Sequence, residues 1–360
     1  MKKLLLHDKH IEAGANMMEL LDTQIPADYG NESEEYKAAR HSAAIADLSY
    51  RGKLRLSGKE HLRFLQGMLS NDVVKLEPGK GVYATLLTVK GRVVSDMSVY
   101  KSEDSVYLDL EPGMSVSVAE LLKKYRLSYK AEIEDLTDST GMVFVAGPAA
   151  GGLVSAAFDV SLDNIGEFDH VRAPFGDASV TIVKHDRTGG DGFDVIVDNA
   201  LLKSLWEFLT SGDNLKPVGR SALETLRIEA GIPRYGIDVD DTTIPIEAGL
   251  WSALNFEKGC YVGQEVVARI KWRGHVNRHL MGLIMDNDKL PSRDDEVFSG
   301  EKKIGRVTSG VYSPLLKKPV ALAYIRREFI EPGTPVTVIL SSSDPVGATV
   351  SALPFESVPE

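Results

Sequence analysis

An α+β fold divided among several domains is what this sequence predicts, on three grounds. Its 360 residues exceed what one ordinary hydrophobic core accommodates and suit two or three domains. Hydrophobic residues at 43 % and charged ones at 26 % are the proportions of a soluble globular chain, not a disordered or fibrous one. Segments with a helical apolar stripe are interspersed with short segments of period-2 alternation, ending in a run of strands and turns typical of a barrel or sandwich. The net charge of −11 argues against a general nucleic-acid binder, because such proteins gain affinity by setting Lys and Arg against phosphates. A single cysteine excludes an internal disulfide, and it excludes an iron–sulfur cluster held by this chain alone, since such clusters normally take four protein ligands. The start, Met1-Lys2-Lys3-Leu4-Leu5-Leu6, has too short an apolar run for a signal peptide, and the uncharged stretch from Gly141 to Phe158 is interrupted by glycines and Pro148. A cytoplasmic chain with no membrane span and no nucleic-acid partner is therefore expected.

The elements follow in order. Lys53-Leu54-Arg55-Leu56 alternates as a strand, and Ser57-Gly58-Lys59-Glu60 has the spacing of a capping box before a helix with Leu62, Phe64, Leu65, Met68 and Leu69 on its apolar face. Val82 to Thr88, Arg92 to Lys101 and Val106 to Leu110 predict an antiparallel meander, and Val118, Leu121, Leu122 and Tyr125 predict a further helix. Alternation in the second meander strand places Val94, Asp96, Ser98 and Tyr100 on one face. A carboxylate at Asp96 is either an edge-strand solubility device or an acid aimed into a pocket. Ser221 to Glu224 offers a second capping box, and Leu223, Arg227 and Ala230 share the stripe of the helix that follows. Arg227 thus falls on a face expected to be buried and needs an anion, either Glu229 or a ligand carboxylate. Asp238, Asp240 and Asp241 read as a solvated loop. Arg269, Lys271 and Arg273 alternate as one face of a strand, followed by His275, Arg278 and His279; a solvated basic face and an anion-binding one are both open.

The stretch richest in chemistry is Lys258-Gly259-Cys260-Tyr261-Val262-Gly263-Gln264-Glu265. Gly259 and Gly263 bracket the only thiol, and their freedom of backbone conformation suits a tight exposed loop. Lys258 is the adjacent cation, and a cation raises the thiolate fraction of a nearby cysteine. The competing reading makes Cys260 a small buried hydrophobe.

This octapeptide resembles the Lys-Gly-Cys-Tyr-x-Gly-Gln-Glu signature of the YgfZ-type branch of the glycine-cleavage T-protein (aminomethyltransferase) superfamily. Gly81 to Tyr100 is similar to that superfamily's Gly-x-Tyr-x-x-Leu-Leu strand and the acid-bearing strand after it, with Ser95-Asp96 in place of an Asp-Asp pair. Val143 to Pro148, Leu226 to Gly236, Pro245 to Leu250, and Gly305 to Pro314 with Ala321 to Tyr324 extend the likeness, and Asp186 to Asp194 matches a family segment shortened by three residues. The resemblance implies a three-lobed aminomethyltransferase-like α+β fold, with two mixed α/β lobes and a C-terminal β-barrel around a central folate channel. It implies a discontinuous central folate-binding domain of residues 1–51 plus 138–255, an inserted α+β domain of 52–137, a connecting segment of 256–274 with the cysteine motif, and a barrel domain of 275–360. It implies tetrahydrofolate or a substituted folate as ligand, with Tyr83, Asp96, Asp191 and Arg227 beside it, and no resident metal. Following the branch, the expected function is a tetrahydrofolate-binding protein that assists iron–sulfur cluster assembly or repair. Cys260 and Asp96 would be the working residues, and iron–sulfur proteins or assembly factors the partners. The alternative is a folate-dependent aminomethyltransferase, which the single acid at Asp96 and the shortened glycine segment disfavour.

Overall fold

Helical stripes and period-2 runs are realised as an α+β molecule in the computed structural model, which describes residues 1–212, 214–341 and 344–356. The chain divides into two compact units. One comprises Met1–Leu86, Ser95–Glu224 and Ala253–Val262; the other comprises Leu87–Val94, Thr225–Ser252 and Gly263–Glu360. Among the described residues no helix is long and apolar enough to cross a membrane.

Of the three sheets in the first unit, a small one joins Lys2–Lys3, Thr23–Asp28 and Asn16–Leu20, and two larger ones position the site. The larger runs in the order His170–Phe175, Ala178–Lys184, Gly192–Asp198, Thr140–Ala146, Ala44–Asp47 and Lys216–Pro217, antiparallel except for the last pair. Its central strands carry the apolar runs Met142–Ala146 and Val195–Val197, and they bury Val143, Val145, Val195 and Val197 with Leu202 and Trp206 of the Asn199–Leu209 helix. The second sheet has the order Gly81–Leu87, Val93–Lys101, Ser105–Leu110, Gly52–Ser57 and Glu132–Asp135, so the predicted meander is present. Register sets Leu54 and Val99 against Leu108, and Leu56 against Val106, which makes one face predominantly apolar. The other face is polar and still buried, carrying Lys53, Asp96, Ser98, Tyr100 and Asp109.

Both capping boxes are replaced. Ser57 pairs with Ser105 and Glu132 in the sheet, so the ladder claims the residue expected to cap, and the His61–Met68 helix starts after Glu60 without a side-chain cap. The later helix runs Arg220–Glu229, which puts Ser221 inside its first turn.

In the second unit a closed barrel runs Arg278–Met285, Lys318–Arg326, Lys302–Ser313, Glu296–Ser299, Pro335–Ile339 and Pro345–Ser351. Inward Leu283, Val297, Val307, Ala323 and Val338 fill it. The strand expected over Arg269 to Arg273 is instead part of the Gln264–Arg273 helix. Gly263 starts that helix with φ +84°, and a Cβ there would stand 2.5 Å from the Thr88 carbonyl, so only glycine fits. Val266, Val267 and Ile270 then form an i, i+1, i+4 stripe, whose helical period overrides the alternating charges.

Candidate functional site

The polar face of the five-stranded sheet gathers the acid-bearing residues. Gly81 opens the first strand where a Cβ would lie 2.4 Å from the Phe168 carbonyl, so glycine is required for that close approach. Two residues on, Tyr83 stacks against Phe168 at 6.2 Å and donates its hydroxyl to Asp96 Oδ2. Asp96 Oδ1 is buried with no hydrogen-bond partner among the described residues. Burial first, and the Glu111 carboxylate second, push Asp96 up to about 6, against the Tyr83 hydrogen bond and Arg51. Burial and the neighbouring Asp96 carboxylate also raise the Tyr83 phenol well above its ordinary value, so it remains a donor. Asp96 is therefore no edge-strand solubility device: it is 8 % exposed on an interior strand, among polar groups.

Beside it lies an ion-pair chain that spacing did not single out. Arg51 donates to Asp109 Oδ1 at 2.7 Å and to Glu111 Oε1 at 2.6 Å. Arg187 joins Asp109 Oδ2 at 2.6 Å to Asp194 Oδ2 at 2.7 Å, and His185 Nδ1 lies 3.1 Å from Asp194 Oδ2 and 3.2 Å from the Tyr100 hydroxyl. Burial alone would raise Asp109, but the two guanidiniums outweigh it and hold it below the usual carboxylate range. Asp109, His185 and Asp194 offer ligand atoms within 4.8 Å of one another. Arg51 and Arg187 already occupy those carboxylates, so ion pairing accounts for the cluster. The strand alternation that put Tyr107 and Asp109 on one face was the available signal; their partners come from distant segments.

Cys260 is exposed, which removes the buried-hydrophobe reading. Lys258 is directed elsewhere than expected. Its ammonium donates to the carbonyls of Gln66, Leu69 and Asn71 at 2.8, 2.6 and 2.8 Å, around the C-terminal end of the His61–Met68 helix, and it lies 5.0 Å over the Tyr261 ring. Helix ends leave carbonyls unpaired, and a cation there satisfies them and complements the dipole. Burial pushes Lys258 down to about 8. Asn255 Oδ1 accepts from Glu257 N and Lys258 N, and Val262 N donates to Gly67 O, so the loop is pinned on both sides of the thiol. Asn71 also donates to the Tyr83 carbonyl at 2.9 Å, which links this anchor to the strand carrying Tyr83. Gly259 has open space where a Cβ would stand and no positive φ, so the turn does not demand glycine there. Gln264 and Glu265 begin the Gln264–Arg273 helix.

Asp191 lies in the glycine turn, where Asp186 Oδ1 accepts from the amides of Thr188, Gly189 and Gly190. Its own carboxylate is exposed, 3.6 Å from Lys184. Arg227, in the second unit, is 2 % exposed, and Asp238 supplies an anion that spacing did not single out: the guanidinium donates to Asp238 Oδ2, to Ser309 Oγ at 2.7 Å and to the Ile232 carbonyl at 3.2 Å. Asp238 is itself 2 % exposed, contrary to the solvated loop expected, because Arg234 N, Thr308 Oγ1 and Ser309 Oγ also donate to it. Glu229 is occupied by Ser313 Oγ and Leu315 N.

An α+β unit joined in sequence to a closed six-stranded barrel is the architecture of an aminomethyltransferase-like protein. Residues 6–258 match the GCVT N-terminal domain and residues 278–356 the Glycine cleavage T-protein C-terminal barrel domain, so the chain belongs to the glycine cleavage T-protein family. It is 31 % identical over 352 residues to a protein named Aminomethyltransferase from Caldanaerobacter subterraneus subsp. tengcongensis, covering 94 % of this chain and 92 % of that one. It is 32 % identical over 343 residues to an Aminomethyltransferase from Alkaliphilus oremlandii, covering 94 % and 93 %. The fold matches that of glycine cleavage system aminomethyltransferase T from Bartonella henselae with a TM-score of 0.90, at 24 % identity over 99 % of this chain and 98 % of the other. These likenesses overturn the iron–sulfur role expected from the octapeptide. That expectation rested on eight residues around Cys260, whereas the similarity to aminomethyltransferases extends over nearly the whole chain.

Proposed function

We propose that this chain is a folate-dependent aminomethyltransferase, which takes a one-carbon unit from an aminomethylated carrier protein, releases ammonia and passes the carbon to tetrahydrofolate. The observation that carries this reading is Asp96, a buried carboxylate with one oxygen fixed by Tyr83 and the other without a partner among the described residues. When ionised, such an oxygen is a hydrogen-bond acceptor only. It suits a cationic or N–H-bearing ligand, and in a low-dielectric setting it stabilises the iminium cation formed as the carbon changes carriers. One acid suffices for that task, so Ser95 in place of a second acid is compatible with transfer.

Asp191 and Arg227 belong to the same reading as folate contacts, and tetrahydrofolate titration of Asp191→Asn and Arg227→Lys tests each. The discontinuous folate-binding domain of 1–51 plus 138–255, the insertion of 52–137, the connecting segment of 256–274 and the barrel domain of 275–360 are part of the proposal. So is a reducing cytoplasmic setting for the one thiol. The octapeptide supports a finer placing beside the YgfZ-type branch as a matter of sequence alone, with no iron–sulfur task attached.

The test is ammonia and methylene-tetrahydrofolate formation from an aminomethylated carrier protein. Wild type should turn over, and Asp96→Asn should be slower by about 10²–10³. A wild-type protein that is thermally stabilised by tetrahydrofolate yet releases no ammonia would be a folate binder and not a transferase.

A further inference from the structure

Besides Asp96 and Asp109, the polar face of the sheet has a further carboxylate at its end, Glu111. The ladder between Val93–Lys101 and Ser105–Leu110 ends on the pair Met97–Leu110, and Asp96 and Glu111 are the residues next to that pair at the same end, one on each chain segment. The ladder between Gly52–Ser57 and Ser105–Leu110 ends on the pair Gly52–Leu110, and Arg51 and Glu111, next to that pair, are joined by a hydrogen bond of 2.6 Å. Residues that flank the last pair of a ladder on the same side stand close enough to interact, and like charges so placed repel. We propose that Glu111, held in place by Arg51, is a positioning residue for Asp96: its fixed negative charge opposes ionisation of the Asp96 carboxylate and links that ionisation to the ion-pair chain behind it. This rests on the transferase reading for its consequence in catalysis, but not for its physical content.

Glu111 is not a loose surface acid. Its side chain is 15 % exposed, and it receives Arg51 Nη1 at 2.6 Å. The same guanidinium holds Asp109, which Arg187 ties to Asp194, so Arg51 is fixed from its other side and cannot swing to Asp96 without breaking a buried pair. The groups bearing on Asp96 come from each neighbouring strand: Tyr83 donates to it, Glu111 opposes its ionisation, and Arg51 favours it. Lys53, on the same face, spends its ammonium on the carbonyls of Ser49 and Arg51. The device leaves a carboxylate that changes charge close to neutrality, where a group that cycles between facing a cation and facing a neutral amine is most responsive.

The experiment follows the Asp96 carboxyl by ¹³C NMR titration in wild type, Glu111→Gln and Glu111→Asp, alongside the pH profile of ammonia release. Removing the negative charge favours the ionised form, so Glu111→Gln should lower the Asp96 midpoint by about one pH unit and carry the acidic limb of activity down with it. Glu111→Asp keeps the charge and should shift the midpoint less, in the same direction. A purely structural role would reduce activity without moving the limb. If Glu111→Gln does not fold, the shift in Glu111→Asp decides. Midpoints equal to wild type in every folded variant overturn the proposal. A shifted midpoint in proteins that release no ammonia leaves the coupling standing and removes the transferase reading; normal ammonia release with an unmoved midpoint does the reverse.

Discussion

Two buried aspartates, one in each unit, have opposite surroundings. Asp238 takes the Arg227 guanidinium, two hydroxyls and a backbone amide, so both its oxygens are satisfied. Asp96 takes one phenol and leaves Oδ1 without a partner among the described residues, and the Glu111 carboxylate opposes its ionisation. Folding alone rewards the first arrangement, because a buried charge that is fully paired avoids the penalty of desolvation. The second is a local cost that the surrounding sheet sustains, and such costs concentrate where chemistry is done. Arg227 and Asp238 therefore hold the second unit's loops, while Asp96 is the group with unspent capacity.

The largest effect should come from breaking the satisfied pair. Asp238→Asn leaves Arg227 buried against a neutral amide, and removal of one partner of a buried ion pair typically costs about 3–5 kcal/mol. Urea denaturation should show that loss as a lower midpoint. A change below about 1 kcal/mol would mean that the pair is solvated in solution and that the contrast with Asp96 fails.

Asp96→Asn should act in the other direction. Its carboxyl rises from 3.8 to about 6 on folding, so the folded state prefers the protonated form. The stability linked to that proton is fully present below about pH 4 and is lost as pH rises through 6. Asparagine mimics the neutral acid and avoids the loss, so the variant should match wild type near pH 4 and exceed it by roughly 1–3 kcal/mol above pH 7. Thermal melts at the two pH values check this. A variant less stable than wild type at pH 7 would show that ionised Asp96 is a satisfied group after all.

Much of the fold was readable because it rests on local periodicity. The three meander strands, the Met114–Arg126 helix and the terminal run of strands all follow apolar patterns that survive into the structure. The misreadings share a cause, which is that long-range pairing outranked a local motif. Ser57 was claimed by two neighbouring strands before it could cap a helix. Asp238 looked like one of a run of loop acids until Arg227 and Ser309, 82 residues apart, closed on it. Arg269 to Arg273 alternated like a strand, yet the stripe of Val266, Val267 and Ile270 carried more weight. At the candidate site, Tyr83 and Asp96 were legible as individual residues. Arg51, Glu111, Arg187 and Asp194 were not, since nothing in their spacing reveals that three segments meet on one sheet face.

The smallest effect belongs to the residue that dominates the octapeptide. Lys258 and Cys260 sit two positions apart, and only the lysine is bound into the fold. Lys258→Met strips three carbonyls at a helix end of their donor, which should cost about 1–3 kcal/mol. Cys260 is exposed, and its neighbours Asn255, Lys258 and Val262 hold the loop through contacts that do not involve the thiol. Cys260→Ala should therefore stay within about 0.5 kcal/mol of wild type, as substitutions away from packed or bonded features do. Because the side chain is already in solvent, alkylation of the native protein should proceed without prior unfolding, at a rate set by the thiolate fraction. A Cys260→Ala variant destabilised as much as Lys258→Met, together with a thiol protected until urea is added, would place the cysteine inside the anchor and erase the distinction between the residue that builds this loop and the residue that it displays.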